Sequence, residues 1–167
     1  MSQKHRRYTL KTKEAKQILA QASQKLHLNL ENTFGIEPHI ETVETEIGEI
    51  ILINQKPMLH KTGKSVLPTL LAAEILTQLP KIVVDMGAIS HVCNGADIMA
   101  PGIVRIEGEF NKGNIVLVTD EKYAKPIAIG ETILNSAEAK TTKKGTVVKN
   151  LHYVGDKIWD VTKTMTQ

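Results

Sequence analysis

The chain has 167 residues, 41% hydrophobic and 23% charged, an ordinary globular composition that excludes disorder, collagen-like repeats and a coiled coil. Lys and Arg number 21 against 18 Asp and Glu, and the resulting +3 falls well short of the bias of a histone-like nucleic-acid wrapper. A single cysteine, Cys93, excludes an intrachain disulfide framework and a multi-cysteine zinc module.

The net charge conceals a segregation. Residues 1–25 carry Lys4, Arg6, Arg7, Lys11, Lys13, Lys16 and Lys25 against Glu14, for +6. Residues 26–60 carry six glutamates, Glu31, Glu37, Glu41, Glu44, Glu46 and Glu49, against Lys56, for −5. A basic arm on a near-neutral body builds a local potential suited to phosphate, and a solvated helix face explains the same residues equally well. After the start Met1-Ser2-Gln3-Lys4-His5-Arg6-Arg7 no apolar signal segment follows, and no uncharged run approaches the roughly 20 residues of a membrane span. The expectation is a cytoplasmic protein with no membrane contact.

In chain order, Ala15, Ile18, Leu19, Ala22 and Leu26 recur at helical spacing and predict an amphipathic helix over 12–28. Ile40, Thr42, Val43, Thr45 and Ile47, then Ile50-Ile51-Leu52-Ile53 beyond Gly48, predict two strands joined by a tight turn, with a third near Pro57-Met58-Leu59. Ser65 followed by Leu67, Pro68, Leu70, Leu71, Ile75 and Leu76 predicts a second helix that Pro80 ends.

Beyond Pro80 short β-rich runs alternate with glycine: Ile82-Val83-Val84, Ile103-Val104-Arg105-Ile106, Ile115-Val116-Leu117-Val118, Ile127-Ala128-Ile129, Thr146-Val147-Val148 and Lys157-Ile158-Trp159. Such spacing predicts a small closed or nearly closed barrel. The expected organisation is α+β: an α+β domain over 1–79, a mainly β barrel over 80–160 and a C-terminal tail over 161–167.

Common enzyme signatures are absent: there is no G-x-G-x-x-G after a strand, no G-x-x-x-x-G-K-[ST], no H-E-x-x-H and no G-x-S-x-G. His91 and Cys93 lie two apart with Asp97 beyond, short of the four ligands of a structural zinc site, so neither a metal nor a cofactor is expected. Asp85, at a strand end, is expected to cap the helix that follows rather than to act as a base. Tyr123 and Trp159 are expected mainly in the core or at the barrel closure, because RNA-facing aromatics come in clusters and only six aromatics occur here. The segment from Asp85 to Gly102 is distinctive: its two Gly-Ala pairs, Gly87-Ala88 and Gly95-Ala96, remove bulk along one ridge, so a polymer backbone could approach main-chain N–H groups there. Tight helix-on-barrel packing is the alternative reading.

This segment, together with Gly113-Asn114-Ile115-Val116-Leu117-Val118, Ala128-Ile129-Gly130, Lys144-Gly145-Thr146-Val147-Val148 and the run from His152 to Trp159, resembles the PUA domain, named for pseudouridine synthase and archaeosine transglycosylase. Pro68-Thr69-Leu70 ahead of it, Asn94-Gly95-Ala96-Asp97-Ile98-Met99-Ala100-Pro101-Gly102 and the ending His-Tyr-x-x-Asp-x-x-Trp are similar to the malignant T-cell-amplified sequence group, in which a pre-PUA domain precedes a PUA pseudo-barrel. That resemblance implies binding of structured RNA, a tRNA acceptor end or rRNA. The implied surface is Gly87, Ala88, His91, Asn94, Gly95, Ala96, Met99, Pro101 and Gly102, with Arg105 and Lys125 on phosphates and Lys4, Arg6, Arg7, Lys11 and Lys13 as a secondary basic arm. It further implies a non-catalytic role in translation initiation, reinitiation or ribosome recycling, with the small ribosomal subunit and an initiation-factor-type protein as partners. One position departs from the family pattern: many relatives have Asp-Lys-Gly-Ala where this chain has Asp85-Met86-Gly87-Ala88. Two other readings stand beside it: an RNA-binding subunit or accessory of a tRNA or rRNA modification enzyme, and a protein-interaction module using the Glu-rich stretch 31–49.

Overall fold

The computed structural model describes residues 6–166. The chain forms two compact units that divide between Thr77 and Gln78; the first takes up the chain again from Asp160, and the second is Gln78–Trp159.

The first unit is a five-stranded antiparallel sheet in sequential order: β1 (Arg6–Thr9), β2 (Ile40–Thr45), β3 (Gly48–Ile53), β4 (Lys56–Thr62) and β5 (Ser65–Pro68). The central strand β3 is apolar without alternation, and Ile50, Ile51, Leu52 and Ile53 are all buried. Ile50 and Leu52, with Val43 of β2, pack against Val161 and Met165, while by strand alternation Ile51 and Ile53 fill the opposite face. Each fully buried side chain of this size contributes about 1.5–3 kcal/mol of transfer free energy. The helix predicted over 12–28 is α1 (Thr12–Leu26), which buries Ile18, Leu19, Ala22 and Leu26. It ends where His27 turns left-handed and Leu28 N–H donates to Ser23 O at 3.0 Å. A short α2 (Leu30–Phe34), capped by the Asn29 side chain, packs beside it. Between β3 and β4 the two-residue loop Asn54–Gln55 has positive φ at both residues, the backbone that matches strand twist in a tight hairpin.

The predicted helix after Ser65 is corrected by the structure. Residues 65–68 are strand β5, and the helix shrinks to the single turn α3 (Ala73–Leu76). The alternation of exposed Ser65 with buried Val66 and Pro68 suits a strand on β4, and a proline is tolerated because β5 is the last strand of the sheet. Thr69 continues the pairing, its N–H donating to Met58 O at 2.9 Å and its hydroxyl to Pro57 O at 2.8 Å.

The second unit is a curled six-stranded sheet: β6 (Lys81–Val84), β7 (Ile98–Met99), β8 (Ile103–Glu107), β9 (Ile115–Asp120), β10 (Pro126–Thr132) and β11 (Thr146–Tyr153), in the order β7-β11-β10-β9-β6-β8. Only β6 and β9 pair in parallel. The two edge strands, β7 and β8, are consecutive in the chain and joined by the three-residue 3-10 turn Ala100–Gly102, so the sheet must curl until its edges approach, giving the expected pseudo-barrel. Its interior holds Ile82, Val84, Ile98, Phe110, Val116, Val118, Ile127 and Val147. Helix α5 (Ser136–Thr141), capped by Asn135, follows β10.

Two further differences concern the C-terminal end. Residues 157–159, read as a strand, open helix α6 (Lys157–Thr164), and most of the expected tail 161–167 is the rest of that helix. Asp156 decides this locally: its Oδ1 accepts the Trp159 N–H at 2.8 Å, as a residue at a helix start does.

Candidate nucleic-acid interface

The seam of the pseudo-barrel carries a cavity of about 440 Å³, lined by the end of β6, by α4 (Ile89–Val92), by β7 and by the Ala100–Gly102 turn. Asp85 shapes its floor. The Asp85 N–H donates to Gly102 O at 2.9 Å, and its Oδ1 accepts the Ala88 N–H at 2.9 Å, starting the 3-10 turn Met86–Ala88 that runs into α4, the capping role its position predicts. Asn150 of β11 holds the other wall: its side-chain amide donates to Val92 O and Ala96 O at 3.0 Å each, and its N–H donates to Asp97 Oδ1 at 2.9 Å. Both carboxylates at the cavity therefore accept from backbone N–H groups.

Of the surface residues implied by the family resemblance, Ala88, His91, Ala96, Met99, Pro101 and Gly102 line this cavity. Gly87 and Asn94 are exposed at either end of α4 without lining it. Gly95 has a structural part: its φ is +93°, and a Cβ there would lie 3.2 Å from the Tyr153 ring. Gly102 lets the seam turn approach the helix, since a Cβ would sit 3.3 Å from Ala88 Cβ. Arg105 lies on β8 outside the cavity, its Nε 3.3 Å from Glu107 Oε1. Lys125 belongs to the loop between β9 and β10, also outside the cavity.

The basic arm lies in the first unit, and Lys4 falls outside the described residues. Arg7 grips Glu41 with two hydrogen bonds, Nε to Oε1 at 2.9 Å and NH2 to Oε2 at 2.8 Å, and Arg6 lies 3.8 Å from Glu44. The antiparallel register of β1 on β2 makes these pairs, so part of the acidic stretch neutralises part of the basic arm. Lys11 and Lys13 are exposed at the start of α1.

Sequence reasoning missed three contributors. Lys143 and Lys144, both exposed, precede Gly145, whose carbonyl accepts the Ala100 N–H at 2.9 Å, and Thr146, whose hydroxyl lies 3.2 Å from Met99 Sδ. They thus add positive charge beside the cavity's Met99 wall, although only the strand pairing of β7 with β11 reveals it. Asn150 is the third, a positioning residue with no local signature. Tyr123, expected in the core, is instead 61% exposed. Cys93 is half-buried and burial pushes its thiol up, which disfavours the thiolate. Among the described residues no three His, Cys, Asp or Glu side chains gather as a metal site. Nor is any described helix long and apolar enough to cross a membrane.

The cavity is thus mostly apolar, with the small residues Ala88, Ala96 and Gly102 in its lining and the exposed Lys143 and Lys144 just ahead of the strand that pairs with its Met99 wall. Comparison with known proteins agrees with this architecture. Residues 80–154 match the PUA domain, and residues 6–74 match a domain of unknown function, DUF1947. An uncharacterised protein of Methanocaldococcus jannaschii is 41% identical over 159 residues, covering 93% of this chain and 96% of that protein. Translation machinery-associated protein 20 of Schizosaccharomyces pombe is 36% identical over 116 residues, 67% of this chain and 61% of that one. A crystal structure of a hypothetical protein from Pyrococcus horikoshii superimposes with a TM-score of 0.79 at 36% identity, covering 94% of this chain and 99% of the other. The chain belongs to the family of proteins that join a pre-PUA domain to a PUA domain, and resembles the malignant T-cell-amplified sequence group within it.

Proposed function

We propose that the protein binds structured RNA, a tRNA acceptor end or rRNA, across the seam cavity, and acts in translation initiation, reinitiation or recycling without catalysing a reaction. The observation that carries the proposal is the coincidence of the cavity with the small-residue ridge: Ala88, Ala96, Pro101 and Gly102 leave its rim open to a polymer backbone, while Lys143 and Lys144 supply charge alongside. Similarity to a protein called translation machinery-associated supports the cellular context. The non-catalytic part is supported by the carboxylates, since Asp85 and Asp97 both accept from backbone N–H groups. The small ribosomal subunit and an initiation-factor-type protein are the partners this reading implies.

Fluorescence anisotropy of labelled tRNA, and sedimentation with small ribosomal subunits, test it. Binding should weaken steeply between about 50 and 200 mM salt, linearly in log-log form, as phosphate contacts release counterions. Absence of binding to any structured RNA, or salt-independent binding, overturns the reading. A mass-shifted nucleoside after incubation with tRNA would replace it with the modification-enzyme alternative.

A further inference from the structure

We infer that the hairpin tip between β9 and β10 is a stacking site for one unpaired nucleobase of the bound RNA, held on the face of Tyr123 with Lys122 and Lys125 on the flanking phosphates. The inference rests on the RNA-binding reading and adds to it a contact outside the seam cavity.

The tip is built to hold an exposed ring still. Asp120 is only 3% exposed, yet its carboxylate serves the next residues of the chain: Oδ1 accepts the N–H groups of Lys122, at 2.9 Å, and Tyr123, and Oδ2 accepts the Lys125 N–H at 3.0 Å. The Asp120 N–H donates to Lys125 O and the Ala124 N–H to Asp120 O, each at 3.2 Å, with Ala124 left-handed at φ +54°. Burial alone would raise the carboxyl, but the backbone N–H groups outweigh it and hold it below the usual range, so the anchor stays charged. A buried carboxylate committed to loop N–H groups gives the barrel core no apolar contact; it fixes the tip.

At that tip Tyr123 stands 61% exposed, with Lys122 Nζ 5.2 Å and Lys125 Nζ 5.7 Å from its ring centroid. A tyrosine held in water with two cations near its ring is poor packing and good nucleic-acid chemistry. Any base offers a π-face to the ring, and the ammonium groups move a short way onto the phosphates that accompany it. The loop's acid does not interfere, because Glu121 Oε1 accepts the Met86 N–H at 3.3 Å. That bond, with the Glu121 N–H donating to Val84 O at 2.9 Å, ties the tip to the β6 edge of the seam cavity, where Val84 and Asp85 are part of the wall. In this proposal a strand leaving the cavity on that side runs on to Tyr123.

The test uses the full chain and a labelled RNA hairpin with a short unpaired 3′ end. Tyr123→Ala should weaken binding by roughly 5- to 150-fold with the slope against log salt unchanged, as loss of stacking predicts. Tyr123→Phe should bind like the parent, and Lys122→Ala should lower the salt slope by about one. An unchanged thermal midpoint for Tyr123→Ala, expected from its exposure, shows that folding is not the cause. If Tyr123→Ala binds like the parent while Ala96→Glu in the cavity does not, the stacking site is refuted and the RNA reading stands. If Tyr123→Ala weakens a blunt-ended duplex as much as the overhang hairpin, an unpaired base is refuted. If the parent protein binds no RNA, the reading itself falls.

Discussion

A buried His152 and a partly exposed Asp156 form a hydrogen-bonded pair at the point where the last strand of the pseudo-barrel becomes the last helix. His152 is 1% exposed and its Nδ1 lies 2.8 Å from Asp156 Oδ2. The same carboxylate accepts the N–H groups of Tyr153 and Trp159, so one side chain closes the turn and starts α6, whose Val161 and, just beyond its end, Met165 pack on the first sheet. Burial would raise the Asp156 carboxyl, but His152 and the two N–H groups together hold it below the usual range.

Asp156→Asn should therefore destabilise the protein by about 1.5–3 kcal/mol at pH 7, the scale of hydrogen bonds to a charged group. With the folded carboxyl below its unfolded value of about 3.9, the stabilisation is fully present above that value and is lost as pH falls through the folded one. Urea unfolding of parent and variant across pH 7 to 3 should show the gap narrowing at the acid end; a constant gap would show that the charge contributes nothing.

Glu41 is likewise held below the usual carboxylate range, first by hydrogen bonding to Arg7. Arg7 is half exposed, so water screens the pair, and Glu41→Gln should cost only about 0.2–1 kcal/mol at neutral pH, fading as pH drops through the folded carboxyl. The variant frees a guanidinium on β1. If Arg7 is kept from phosphate by Glu41, the variant binds RNA at least as tightly as the parent; weaker binding would mean that Glu41 helps position the arm.

Gly95→Ala should cost about 1–2 kcal/mol, since the left-handed backbone disfavours a Cβ and the Tyr153 ring stands 3.2 Å away. Gly87→Ala, with no positive φ and only Asp85 Oδ1 at 3.4 Å, should change stability by less than about 0.5 kcal/mol. Chemical denaturation compares them directly, and equal costs would contradict the structural part assigned to Gly95.

Ala96→Glu places a negative charge on the cavity wall and should abolish tRNA binding at moderate salt while leaving the unfolding midpoint close to the parent's, since Ala96 is exposed. Replacing Lys143 and Lys144 together by Ala should weaken binding to all structured RNAs and lower the salt slope by about two. An unchanged slope would remove these lysines from the interface.

Much of this was legible in one dimension because it depends on near neighbours. The helical spacing of Ile18, Leu19, Ala22 and Leu26, the unbroken Ile50-Ile51-Leu52-Ile53 of a central strand and the Asp85 cap each involve residues a few positions apart. The two Gly-Ala pairs of the run Asp85–Gly102 stand out for the same reason, while the wider surface is what the family resemblance implies, and six of its residues line one cavity. Ser65–Pro68 reads as helix because Leu67, Leu70 and Leu71 mimic a helical stripe, whereas the strand state is stabilised by β4. Residues 157–159 carry β-type residues but follow Asp156, and the cap outweighed the propensity.

By itself the sequence determined the two-unit α+β plan, the barrel and the ridge of small residues, because hydrophobic period and glycine placement are properties of the chain as written. Only the tertiary structure decided which charges remain available. Pairing β1 with β2 sets Arg7 on Glu41, pairing β7 with β11 brings Lys143 and Lys144 beside Met99, and the buried Asp120 holds Tyr123 out in water. Those outcomes depend on strand register and on burial, which join residues far apart in sequence or set a side chain's surroundings, and no local pattern encodes either.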